Sequence, residues 1–172
     1  MTFSHVDLSE VETEGVVFDG CAFRDVRFNA SVHKDSAFVN CTFTTCTFFD
    51  ASFTACKLVG SRFERCTFDL LRVVGGDWSF VGLVRADLRR ASFDGLRMRE
   101  ADLGGARCEG ATLTSADLSG ADLRGAGFAR CDLRGSDLST LDPATSELAG
   151  AIVTWEQALV VARTLGLDVR PD

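Results

Sequence analysis

Large apolar residues recur along this chain at every fifth position. From Phe3 to Leu138 that register holds 28 positions, and 22 of them are Leu or Phe. Thr13, His33, Val73, Trp78, Met98 and Cys108 fill the other six. The residue two before each is small or apolar, as at Cys21, Cys41, Ala51, Ala91, Ala116 and Ala121. A period of five is neither the 3.6 of a helix nor the 2 of a strand. Residues two apart on extended chain share a side, so both apolar slots point inward and the other three outward. Of the 16 glycines, 11 fall two residues after the large one. Glycine takes up positive φ without strain, so that slot marks a backbone turn.

A short extended piece and a turn, repeated every five residues, describe one side of a polygon. Four sides make a coil of 20 residues that stacks on the next at about 4.8 Å, the spacing of paired strands. Backbone groups then pair between coils while Leu and Phe fill the interior. The phase holds without slipping to Leu138; Pro143 interrupts it, and Leu148 and Val153 resume it.

The unit written at Ala116-Asp117-Leu118-Ser119-Gly120 resembles the repeat of the pentapeptide-repeat family, over about Phe3 to Val153. The resemblance implies an all-β fold, a right-handed quadrilateral β-helix. Residues 1–153 are read as that β-helix and residues 154–172 as a C-terminal helix and tail.

Residues 20 apart lie one above another in such a coil. Asp102, Asp122 and Asp142 form one outward column, and Asp117 and Asp137 a second on the neighbouring face. Exposed like charges about 5 Å apart repel by roughly 1 kcal/mol. Two readings stand: an Asp before the large residue bonds nearby backbone in the turn, or the columns serve a partner. Thr13 and His33 share an interior column, which implies either loose packing of the first coils or a His33–Thr13 bond. Trp78 and Met98 also stack, a locally repacked core. Cys21 over Cys41 and Cys46 over Cys66 read as small apolar filler rather than disulfides. Phe49, Leu70, Val74 and Phe80 occupy outward slots as a candidate partner patch.

The tail "TWEQALVVARTLGLDVRPD" leaves the repeat. Thr154 with Gln157 forms a capping box, Glu156 suits the positive helix end, and Gly166 stops the helix after Leu165. Apolar residues cover more than one face of Trp155 to Leu165, wider than a cap over the coil end needs. Trp155, Leu159, Ala162 and Leu165 are therefore candidates for a homodimer interface.

Charge and cysteine usage narrow the function. The net charge of −7 disfavours a nucleic-acid binder, since neutralising phosphates takes Lys and Arg. It is uneven: −5 over residues 1–25, +2 over 26–130 and −4 over 131–172. No apolar run reaches the roughly 18 residues of a membrane span, and the start lacks a signal-peptide pattern, so a cytoplasmic location is expected. Seven cysteines without a CxxC pair, and two histidines, argue against a disulfide scaffold or a zinc site. No nucleophile–base pair or phosphate loop stands out, so no catalytic, cofactor or metal site is assigned.

The uninterrupted array followed by a short helix is similar to the MfpA and Qnr group of the family. That resemblance implies dimeric rods that bind DNA gyrase or a related type II topoisomerase by mimicking duplex DNA, and fluoroquinolone resistance. The absence of loops between repeats is nearer the MfpA type. Two copies carry a formal −14, whereas duplex DNA of the same length of about 75 Å carries about 44 phosphates. Mimicry would therefore be of shape plus local acidic columns. A rigid protein-interaction scaffold is the alternative reading.

Overall fold

The computed structural model describes residues 1–170; residues 171 and 172, the end of the expected 154–172 unit, lie outside the described residues. Twelve three-residue strands, all paired in parallel, wind into a right-handed four-sided β-helix, and a single helix, α1 (Trp155–Thr164), follows. Every paired residue meets the one 20 positions on. Thr2, Ala22, Thr42, Arg62, Gly82, Asp102 and Asp122 form one such succession. A second face is a six-stranded ladder from Glu12–Glu14 to Thr112–Thr114. The face through Asp7, Arg27, Thr47 and Thr67 has only isolated bridges, because its corners are tighter.

Two kinds of corner make the square. In the tight kind the N–H of the third residue on bonds back to the large residue's carbonyl, as from Ser31 to Phe28 and from Ala121 to Leu118. The wide kind keeps a three-residue strand, and eight of the twelve strands centre on Phe. Without the turn bond, the central carbonyl of a wide side needs another donor. On six of the twelve wide sides the inward small slot 23 residues later supplies it. Cys41 Sγ reaches Phe18 O at 3.4 Å, Cys46 Sγ reaches Phe23 O at 3.4 Å, and Cys56 Sγ reaches His33 O at 3.3 Å. Ser61 Oγ donates to Phe38 O at 2.6 Å and Ser136 Oγ to Leu113 O at 2.8 Å. All seven cysteines are free thiols. Cys41, Cys46, Cys56 and Cys66 are donors to backbone carbonyls, not only the small filler their size suggested.

The corner slot takes a left-handed conformation at nearly every step, with Arg90, Thr140 and Thr145 the exceptions. Eleven glycines there have positive φ, and so do 16 other residues, including Asp25, Asn40, Arg65, Leu70 and Phe80. Left-handed backbone costs a residue with a Cβ roughly 1–2 kcal/mol, so the ladder and core impose it. Gly76 is different. It occupies the inward slot ahead of Trp78 at φ +96°, where a Cβ would meet Cys56 O at 2.2 Å.

Aromatic rings fill the N-terminal half of the core. Phe3, Phe23, Phe43 and Phe63 stack at 5.0, 4.9 and 4.7 Å, and Trp78 lies flat against Phe63. His33 is buried and stacks on Phe53 at 4.6 Å. It bonds Thr13 across the coil step, which decides between the two expectations for that column. Beyond Met98 the core is mostly Leu and Ala, with Phe128 and Cys131 among them.

Candidate partner-binding surfaces

The outward Asp positions follow from the repeat: the residue before the large one points out beside a corner. All five candidate carboxylates first serve their own turn, accepting the backbone N–H two residues on. Asp102 takes Gly104 N–H at 3.1 Å, Asp122 that of Arg124 at 3.0 Å and Asp117 that of Ser119 at 3.2 Å. Asp137 and Asp142 take those of Ser139 and Ala144, both at 2.9 Å. Asp102 and Asp122 stand in register one coil apart. Asp142 leaves that register. Pro143 has no N–H to give, and a turn forms in which Asp142 O accepts from both Thr145 and Ser146. Gly125 N–H then bonds Thr145 O, a 20-residue step where its equivalent Gly105 spans 19 to Arg124 O. The expected column of three is thus a pair with a displaced third member.

Arginines are woven into both columns. On the face that continues the Val17–Asp19 and Ala37–Val39 strands, Lys57, Asp77, Arg97 and Asp117 alternate in sign from coil to coil. Arg97 bonds Asp77 at 3.0 Å, and Arg99 bonds Asp117 at 2.6 Å. Ser119 and Arg99 together hold the Asp117 carboxyl down at about 2. Arg124 grips Asp122 with Nε and Nη2 and holds it down at about 2 as well. Asp87–Arg89 and Asp132–Arg134 repeat that grip. Asp102, Asp137 and Asp142 have no ion pair among the described residues. The "Asp-Leu-Arg" triplets at 87–89, 122–124 and 132–134 carried the signal for these pairs, since residues two apart share a side. Asp132 belongs with the acidic residues on the same ground.

At the C-terminal end α1 starts with the expected capping box: Thr154 Oγ1 accepts from Gln157 N–H, and Gln157 Oε1 accepts from Thr154 N–H. It ends in a Schellman pair, Gly166 to Arg163 and Leu167 to Ala162. Gln157 does more than cap. Its buried Nε2 donates to Leu133 O and Ser136 O, both at 2.7 Å, and so ties the helix to the last coil. The four helix candidates do not share one environment. Trp155 is 72% exposed and Leu159 half-buried, while Ala162 and Leu165 line an apolar groove of about 350 Å³ between the helix and the coil end. Leu133, Leu148 and Val161 form its floor. No helix among the described residues is long and apolar enough to cross a membrane.

The family model described as pentapeptide repeats matches residues 83–107 and 101–139. Two solved structures of trypsin-treated variants of QnrB1, described as a plasmid-mediated fluoroquinolone resistance protein, share the architecture. The first has a TM-score of 0.63 at 21% identity, covering 99% of this chain and 98% of its own. The second has a TM-score of 0.59 at 24% identity, covering 99% and 87%. No curated protein matches the chain. The family match spans residues 83–139, and the five-residue period and four-sided coil continue on both sides of it, so the chain is similar to pentapeptide-repeat proteins along the whole coil.

Proposed function

We propose that the protein binds DNA gyrase or a related type II topoisomerase as an end-to-end homodimeric rod, and modulates or protects it. The observation that supports this most is architectural. The chain matches a fluoroquinolone resistance protein over nearly the whole length of both. The apolar groove beside α1, with exposed Trp155, offers an end surface for a second copy. Joining the C-terminal ends would bring two −4 segments together at the centre of the rod. There Asp102, Asp137 and Asp142 would present free charge to a basic DNA-binding saddle, while Asp117 and Asp122 present charge partly compensated by arginine.

The local bonds of these carboxylates favour the second reading, a rigid interaction scaffold, since every one has a use within its own turn. A supercoiling assay with purified gyrase, with and without a quinolone, separates the two. Inhibition or protection at micromolar protein is expected; neither effect, with no change in ATPase rate, leaves the scaffold. Changing Asp102, Asp122 and Asp142 together to Asn keeps the turn acceptors and removes the charge. Weaker gyrase binding with an unaltered fold is expected, and unchanged affinity would return those residues to a purely structural role. Leu159→Asp should give 18.6 kDa monomers on sedimentation; a persisting dimer would show that α1 only caps.

A further inference from the structure

A different surface is built for an anion. On the face that carries Asp102, but nearer the N-terminus, Arg62, Arg65, Arg85, Phe80 and Val84 line an open groove of about 490 Å³ whose floor is notched at Gly82. Two of its features cost the fold and give nothing back to it. First, Phe80 is 54% exposed and Val84 51% exposed, so neither ring nor branch serves the core. Second, Arg65, Phe80 and Arg85 all sit in the left-handed corner slot, at φ 53°, 61° and 55°, where glycine would be free of strain. The arginines are also unused: Arg72, Arg89, Arg97, Arg99 and Arg124 each hold an Asp, whereas Arg62, Arg65 and Arg85 hold no ion pair among the described residues.

We propose that this groove docks an acidic, extended segment of a partner protein, with one aromatic or branched aliphatic side chain seated over Gly82 between Phe80 and Val84. Three guanidiniums fork onto carboxylates two residues apart on the incoming strand. A nucleic acid fits less well. Glu64 and Asp102 also line the groove, and a continuous phosphate backbone would meet both, on a chain of net charge −7. A short peptide places its carboxylates on the arginines and its apolar residue elsewhere. Asp102 borders both surfaces, and the arginine variants below leave it in place, so their effect on the peptide is read separately from topoisomerase binding.

The test is fluorescence anisotropy with a fluorescein-labelled peptide, Glu-Asp-Glu-Phe-Glu-Asp-Glu, at 50 and 300 mM salt. Its Phe→Ser form, an all-Lys version and a labelled dT12 oligonucleotide are run in parallel. Saturable, salt-weakened binding of the Phe peptide is expected, with at least tenfold loss in Arg65→Ala/Arg85→Ala and no change in Arg130→Ala. Phe80→Gly should bind the peptide about tenfold more weakly and yet melt at a higher temperature, since it relieves the corner. That opposite pair of signs separates a docking residue from a packing one. No binding at millimolar peptide, equal binding by the variants, tighter binding of dT12, or a lower melting point for Phe80→Gly would each overturn the proposal.

Discussion

Thr13 Oγ1 lies 2.7 Å from His33 Nδ1, one coil step away, in the ring-rich N-terminal half of the core. The surrounding bonds assign the proton on the imidazole. Ser31 Oγ donates to Phe28 O at 2.7 Å, so at 3.0 Å from His33 Nε2 it accepts, and Nε2 carries the hydrogen. Nδ1 then accepts from Thr13, whose oxygen is 3.2 Å from Ser36 Oγ. His33 is neutral, and every group around the ring is neutral with it.

Acid should therefore loosen the fold through this residue. Burial holds His33 at about 4, down from its ordinary 6.5. The unfolded chain binds the extra proton between those values, so stability is full above pH 6.5 and falls as pH drops towards 4. The loss totals about 3 kcal/mol. In His33→Leu, Ser31 and Thr13 keep their other partners, so neutral-pH stability should hold while this slope disappears. Urea midpoints at several pH values between 4 and 7 measure it; an unaltered slope in the variant would assign the titration elsewhere.

Glycine substitutions should separate sharply. Gly76→Ala drives a Cβ into Cys56 O and N at 2.2 and 2.8 Å, both backbone atoms. Gly95 has open space around it, and Gly95→Ala meets only the left-handed penalty. We expect about 1 kcal/mol for Gly95→Ala and about 3 kcal/mol or more for Gly76→Ala, read from denaturant melts. Similar values would mean that the ladder yields at Cys56.

Ser61 tests the orphan-carbonyl rule. Its hydroxyl donates to Phe38 O at 2.6 Å and accepts from Cys41 N–H at 2.9 Å, both buried. Ser61→Ala should cost about 2 kcal/mol or more. Ser61→Cys keeps a weaker donor in the slot and should recover part of that. An alanine variant as stable as its parent would show the carbonyl finds another donor.

Burial inside the coil shields thiols from chemistry. Burial pushes Cys41 up to about 11 and Cys131 up to about 12, and raises Cys108 as well. An aromatic disulfide reagent at pH 8 should leave these three unmodified in the folded protein and label them after unfolding. Rapid labelling of the native state would place an opening in the coil.

Gln157 should matter more than a cap does. Gln157→Ala loses the bonds to Thr154, Leu133 and Ser136 at once, and Gln157→Glu sets a carboxylate against two carbonyl oxygens. Stability should fall in the order Gln, Ala, Glu, by about 2 kcal/mol at the first step. Amide exchange around Leu133 and Ser136 would rise with it. Protection that survives both changes would show that helix packing alone seals the end.

The period from Phe3 to Leu138 determined, with no structure needed, the coil, the 20-residue step, the inward Leu and Phe, and the stacked pairs Thr13–His33 and Asp102–Asp122. A strict repeat makes every interior position predict its neighbour. Thr154 and Gln157 announced the helix in the same local way. Tertiary structure alone decided what one coil does to the next. It set the wide sides whose carbonyls Cys41 and Ser61 satisfy 23 residues on, and the reach of Gln157 to Leu133 and Ser136. It also decided that Arg99 rather than open solvent faces Asp117, and that Pro143 turns Asp142 out of its column. A one-dimensional period specifies direction and stacking because these depend on spacing, whereas hydrogen bonds and ion pairs depend on distances between coils.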